Sequence, residues 1–214
     1  MEKYINDFAV FFNEGGEFMW VISVVFAFAV AIVIERLVFM YIICKGNPAQ
    51  IAMEAAKALE KNDEPALSAL AKKSDPLSVL LSGAIEKFKK GASINEIRNG
   101  VEEDAILQIP RIYARINYLS LVANAATLLG LLGTIQGLQM SFSSLASLEA
   151  AEKANALSRG ISVALNTTAM GLLAAIPCMF AYTFLSNRKQ KLINRIDDAT
   201  MRFVNFLEAE KAKK

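Results

Sequence analysis

The chain has 214 residues, of which 54% are hydrophobic and 21% charged, with a mean hydropathy of +0.35, which is too apolar for a soluble domain of this length and places it in the membrane class. Its net charge of +2 says little, because the charges are absent from long blocks and crowded between them. There is no histidine, and Cys44 and Cys178 lie far apart, so the usual general base, the commonest metal ligand and a disulfide framework are all missing.

Residues 1–17 open the chain with Tyr4, Ile5, Phe8, Phe11 and Phe12 at helical spacing. That pattern suits an amphipathic helix at the outer membrane interface, with Trp20 as a belt residue, or one that packs on a neighbouring subunit. Glu2, Asp7, Glu14 and Glu17 against Lys3 alone do not suit a cleaved signal peptide. Phe18 to Ile34 is free of charge, and after Glu35-Arg36 the apolar run resumes from Leu37 to Cys44. At about 1.5 Å per residue, residues 18–44 can cross a hydrocarbon core of about 30 Å. Glu35 and Arg36 fall near the inner end of this span, where an ion pair with the arginine reaching toward the headgroups is expected.

Residues 45–115 read as short helices with clear punctuation. Asn47-Pro48, Asp63-Glu64-Pro65 and Ser74-Asp75-Pro76 each combine a capping side chain with a proline, which a first helical turn accepts. Ser93 with Glu96 has the spacing of a capping box and predicts a long helix running toward a second span, kinked or divided at Pro110. Two further blocks carry no charge, Ile116 to Leu148 and Gly160 to Asn187. The expected order is therefore a span at 116–148, an outer loop at 149–159, a span at 160–187 and a C-terminal helix at 188–214.

Lysine and arginine set the orientation. The stretch from Lys45 to Arg115 holds eleven and the tail from Arg188 holds eight, against Lys3 in the N-terminal arm and Lys153 and Arg159 in the 149–159 loop. The N-terminus is expected outside and the C-terminus inside, with 45–115 cytoplasmic. The fold class that follows is an all-α integral membrane protein of three transmembrane helices, whose long helices extend into a cytoplasmic helical domain.

On the second span, Ala123, Thr127, Gly130, Thr134, Gly137 and Ser141 fall along one narrow face, with Gln136 and Gln139 roughly opposite. Gly133 and Gly137 form a GxxxG spacing. On the third, Ala164, Thr168, Gly171, Ala175 and Tyr182 share a side, Asn166 and Thr167 add polarity, and Pro177 is expected to kink the helix and free a carbonyl one turn back. Two readings stand open: close packing of helices through small residues, or an ion path lined by hydroxyls. Neither span contains Asp, Glu, Lys, Arg or His. A titrating group for ion transfer would thus come from a partner or from Glu35. No phosphate-binding GxxxxGK[ST] loop is present, and no nucleophile, base or metal set converges, so the residues indicate neither an enzyme nor a cofactor.

LSLVANAATLLGLLGTIQGLQMSF (Leu119 to Phe142) resembles the second-span signature of the ExbB/TolQ/MotA proton-channel family. GISVALNTTAMGLLAAIPCMFAYTFL (Gly160 to Leu185) resembles its third-span signature, and GLLGT with a downstream TxxGLxxAIP is a specific combination. Three spans and a long middle region match the ExbB/TolQ branch, whereas MotA-type subunits have four spans. The resemblance implies a homopentamer in the bacterial inner membrane around a dimer of single-span ExbD/TolR-like partners, whose membrane aspartate carries the ion. It implies that Thr134 and Thr168 line the pore; by the residues themselves Thr127, Thr167 and Asn166 add polarity there, and Gly130, Gly133, Gly137, Gly171 and Ala175 allow close packing. Ion flow would drive a rotation transmitted to a periplasmic load. The chain departs from the family pattern at Thr127, where many relatives have proline, and at Val163, where ExbB/TolQ proteins commonly have glutamate. The resulting uncharged, hydroxyl-rich path is compatible with sodium as well as the favoured proton. The competing expectations are a structural scaffold whose small residues only pack helices and a sodium-driven stator of another branch.

Overall fold

The computed structural model describes residues 9–145 and 150–213. Every regular element among them is helical. After a short helical segment at residues 9–14 and a turn at Gly15-Gly16, the elements are α1 (Glu17–Val38) continued by a π-helical turn (Phe39–Ile43), α2 (Pro48–Glu60), α3 (Glu64–Ala71), α4 (Pro76–Lys89), α5 (Ile94–Tyr113), α6 (Ile116–Leu145) and α7 (Ala150–Ala212). Of the N-terminal aromatic pattern, Tyr4, Ile5 and Phe8 lie outside the described residues. Helical stretches within Glu17–Glu60, Ile94–Ser143 and Glu152–Ala212 are long and apolar enough to cross a membrane, three in all among the described residues.

The chain forms two compact units. The first comprises Met1–Ile34 and Arg115–Phe184. In it the buried face of α1 is a single stripe of Met19, Ile22, Ala29 and Ile32, while Trp20, Val24 and Phe28 point outward. The outward residues of α6 and α7 are as apolar as the inward ones, including Leu128, Ile135, Leu172 and Phe180. Inside a membrane burial of apolar surface does not separate in from out, so the inner surface is marked by small residues instead. Hydroxyls close on the backbone of their own helices: Ser23 on the Met19 carbonyl at 2.8 Å, Thr183 on the Met179 carbonyl at 3.0 Å.

The second unit comprises Glu35–Ala114 and Leu185–Lys214. Each of its helices starts at the residue whose chemistry calls for it. Asn47, Asp63 and Asp75 accept from the amides of Ala49, Ala66 and Ser78 at 3.2, 3.1 and 3.0 Å, with Pro48, Pro65 and Pro76 in the first turn. Ser93 and Glu96 form the complete capping box, with Glu96 N–H donating to Ser93 Oγ at 3.2 Å and Ser93 N–H to Glu96 Oε2 at 2.6 Å. Leu77, Leu80, Leu81 and Ile85 of α4, Ile97 and Val101 of α5, and Ile196, Ala199, Phe203 and Leu207 of α7 make the core.

The helix that begins at Ser93 does not divide at Pro110, which lies inside α5. The chain breaks instead at Ala114-Arg115, where Arg115 takes a left-handed backbone (φ 64°) and α6 starts afresh. At the end of the chain, residues 188–212 continue the third span without interruption, through Pro177, as one helix, in keeping with long helices that extend beyond the spans.

Candidate functional site

The second and third spans meet along a seam of small residues. Gly130, Gly133 and Gly137 of α6 face Gly160, Ala164, Thr167, Thr168 and Gly171 of α7. A Cβ on Gly137 would come within 2.9 Å of the Ala164 nitrogen and the Gly160 carbonyl, and one on Gly171 within 2.7 Å of the Ala126 carbonyl. A Cβ on Gly133 would overlap the Thr167 side chain, and one on Gly160 the Ser141 hydroxyl. Position along α6 rises as position along α7 falls, so the helices run antiparallel.

The seam differs by one residue from the face expected at the threonines. Ala123, Ala126, Gly130, Gly133, Gly137 and Ser141 are buried on α6, and Gly160, Ala164, Thr167, Gly171, Ala174 and Cys178 on α7. The α7 set and the series through Thr127 and Thr134 step alternately by three and four residues, the α6 set does so from Ala123 to Gly137, and the two α6 series share Gly130 and Gly137. Composition cannot choose between them, but contact can, because Gly133 and Ala126 let the backbones approach where threonine would not.

Thr127, Thr134 and Thr168 each follow a seam residue (Ala126, Gly133, Thr167) by one position. One position rotates a side chain by about 100°. In antiparallel helices that rotation carries all three to the same side of the seam. Thr134 Oγ1 donates to the Leu131 carbonyl at 2.5 Å and Thr127 Oγ1 to the Ala123 carbonyl at 3.1 Å. Thr168 Oγ1 donates across the seam to the Gly130 carbonyl at 3.2 Å, so Thr134 and Thr168 engage neighbouring carbonyls of the same turn. Thr134 and Thr168 are half-buried and Thr127 is exposed. Asn166, with Gln136, falls on the opposite side.

Thr167 stands apart from the others. It is only 1% exposed, and its hydroxyl lies 2.7 Å from the Val163 carbonyl and 2.8 Å from the Gly15 carbonyl. It therefore fastens the turn at Gly15-Gly16 to the third span, and Gly16 packs against Val163, with a Cβ placed there 3.4 Å from the valine side chain. Ala175 is buried, while Pro177 is exposed and lines, with Cys178, an apolar cleft against Phe26, Ala29, Val30 and Val33 of α1. The sequence reading missed Gly160 and the Gly15 carbonyl. Gly160 could have been found, since it precedes Ala164 by four residues and extends the small-residue series, whereas nothing in the sequence marks a carbonyl as a partner.

In the second unit, Arg36 Nη2 meets Glu35 Oε1 at 2.6 Å, Nη1 donates to the Arg111 carbonyl at 3.0 Å, and the guanidinium lies 4.9 Å from the centre of the Phe39 ring. Arg36 is 5% exposed. Rather than extending toward headgroups, it joins the end of the first span to the end of α5. Among the described residues no group of His, Cys, Asp or Glu could hold a metal ion.

Residues 72–198, which include the whole seam, match the family described as the MotA/TolQ/ExbB proton channel family. An ExbB-homologous biopolymer transport protein of Methanothermobacter thermautotrophicus is 26% identical over 201 residues, 92% of this chain and 70% of that protein. An ExbB-like biopolymer transport protein of Synechocystis is 34% identical over 163 residues, 74% of this chain and 75% of its own length. The Tol-Pal system protein TolQ of Pseudomonas aeruginosa is 32% identical over 130 residues, 53% of this chain and 56% of its own. The chain belongs to the MotA/TolQ/ExbB proton channel family, a membrane family of energy-transducing channel components.

Proposed function

We propose that this chain is the pore-forming subunit of an inner-membrane motor that couples ion flow to mechanical work through a single-span, ExbD/TolR-like partner. The observation that carries this reading is the placement of Thr127, Thr134 and Thr168 on one side of a seam that glycines close. The second and third spans supply oxygen atoms for an ion path and no Asp, Glu, Lys, Arg or His, and Glu35 of the first span is paired with Arg36, so the titrating carboxyl comes from the partner. The subunits form a homopentamer with their N-termini periplasmic and C-termini cytoplasmic. Residues 18–44, 116–148 and 160–187 span the bilayer, and 45–115 and 188–214 lie in the cytoplasm. The ion is the proton, and sodium is the alternative that an uncharged, hydroxyl-lined path favours. Each charge that crosses the potential supplies about 2.3 kcal/mol per 100 mV, so a few ions per step drive a load without a nucleotide.

The test is ion flux through the chain reconstituted with its partner, in proton and in sodium gradients. Thr134→Ala and Thr168→Val are expected to abolish flux and ion-driven work while the protein still assembles. Thr168→Val also loses one interhelical hydrogen bond, worth about 0.6 kcal/mol. Undiminished flux in both variants, at normal protein levels, would remove the pore role. A scaffold is the second reading, favoured by the packing of the glycines within a single subunit. It requires that co-expression of a single-span protein with a membrane aspartate change neither native mass nor flux.

A further inference from the structure

At the cation-rich ends of the spans, two basic side chains stand on tyrosine rings. Arg188 and Lys189 follow directly on the uncharged run that ends at Asn187. The Arg188 guanidinium lies 5.1 Å from the centre of the Tyr41 ring, in the π-helical turn that ends the first span. The Lys189 ammonium lies 5.9 Å from the Tyr113 ring, at the end of α5 and just before the second span. Both distances are within the reach of a cation–π contact. Neither cation has a carboxylate partner among the described residues. The nearest carboxylate in sequence on the first span, Glu35, is engaged by Arg36.

The rings therefore hold the positive charges of two successive residues without neutralising them. Both rings remain open, Tyr41 being 48% and Tyr113 41% exposed. On the first span Val38, Tyr41 and Ile42 fall at helical spacing on one face, and Val38 and Ile42 are 44% and 65% exposed. An apolar strip thus runs along the span to the foot of the charged pair. A phosphodiester with an acyl tail matches that combination, with the anion between the two cations and the tail along the strip. A soluble anion would use only the first of these, and a zwitterionic headgroup would bring its own cation against Arg188 and Lys189.

We propose that Arg188 and Lys189, held on Tyr41 and Tyr113, bind the phosphate of an anionic phospholipid at the junction where the three spans leave the membrane. Bound there, the lipid bridges the ends of α1, α5 and the third span within one unit of the protein.

The test uses the full chain reconstituted in bilayers of equimolar phosphatidylglycerol and phosphatidylcholine, with the lipids that stay bound on extraction identified by native mass spectrometry. The expected result is an enrichment of phosphatidylglycerol of about fivefold or more, the factor one interfacial cation contributes. It should fall to the bulk ratio in the double variant Arg188→Gln, Lys189→Gln and persist in Lys72→Gln, Lys73→Gln, which removes two exposed cations from the end of α3 and the turn after it. Absence of enrichment in the wild type, or equal enrichment in the Arg188 and Lys189 variant, would overturn the proposal. So would displacement of the lipid by excess inorganic phosphate, which would make the site a reader of free anions. If the double variant does not fold, Tyr41→Leu decides, since it keeps every charge: a reduced enrichment sustains the proposal and an unchanged one ends it.

Discussion

At the scale of single residues, the glycines of the seam are not equivalent, and the difference can be measured. A Cβ on Gly130 would find its nearest neighbours, all backbone, at 3.3 Å, a gap that a shift of a few tenths of an ångström relieves. On Gly137 the neighbours are backbone atoms at 2.9 Å, and the helices must separate. Gly137→Ala is therefore expected to cost about 1–3 kcal/mol and Gly130→Ala less, read as melting temperatures of the purified protein. Equal losses would show that the spans part freely. The residue types in this site were legible in the sequence, but their exact face was not. Two interleaved series of similar spacing that share Gly130 and Gly137 pass through α6, and the steric test at Gly133 against Thr167 separates them. The fastening of Gly15 to Thr167 was not legible at all, because one partner is a backbone carbonyl 152 positions away.

At the scale of elements, the helices between residues 48 and 113 were readable because their starts are local chemistry. Asn47, Asp63, Asp75 and Ser93 each satisfy amides within three residues of themselves, so no tertiary information is needed. The end of α5 was not readable. Proline at position 110 is the strongest local signal for a break, yet the break sits at Ala114-Arg115, where an arginine adopts a conformation that its own preferences disfavour. Glu96 provides a prediction at this scale. The Ser93 backbone N–H, and after it the Ser93 side chain, hold the Glu96 carboxyl below the usual carboxylate range. A carboxyl depressed in this way stabilises the fold above its unfolded-state value, and the contribution is lost as pH falls through its folded-state value. Ser93→Ala is expected to weaken the start of α5 by about 1 kcal/mol. Thermal unfolding followed across the acid range should show a shallower pH dependence in Glu96→Gln, which removes the titrating carboxyl, whereas Ser93→Ala keeps the backbone N–H that lowers it most. An acid limb identical to that of the wild type would mean that the box contributes nothing there.

At the scale of the whole molecule, the three spans follow from charge-free length alone, and that much was legible before any contact was known. The extension of a long helix beyond the third span was expected as well, although a change from apolar to charged composition at Arg188 resembles the end of an element. Helix formation is indifferent to that change, and arginine, lysine, glutamine and leucine propagate the helix as well as the span residues do. The far end of α7 supplies Phe203 and Leu207 to the core of the second unit, both almost fully buried. Lys211 caps the arrangement by donating to the Ala92 carbonyl at 2.6 Å. Phe203→Ala is expected to cost about 3–5 kcal/mol and to expose the helices between residues 48 and 113 to protease while the spans stay in the membrane. Unchanged protection of that region would mean that α7 is dispensable to the unit.

The hydroxyls beside the seam also have a polarity. Thr127, Thr134 and Thr168 each donate their proton to a carbonyl, and a carbonyl can only accept. Their oxygens consequently face away from the helices as lone pairs with no hydrogen to offer. A carboxylate meeting this side would find acceptor against acceptor, whereas a protonated carboxyl, a donating water or a bare cation would find matched chemistry. Beyond those carbonyl bonds the three hydroxyls can only accept, although none of them titrates near neutral pH.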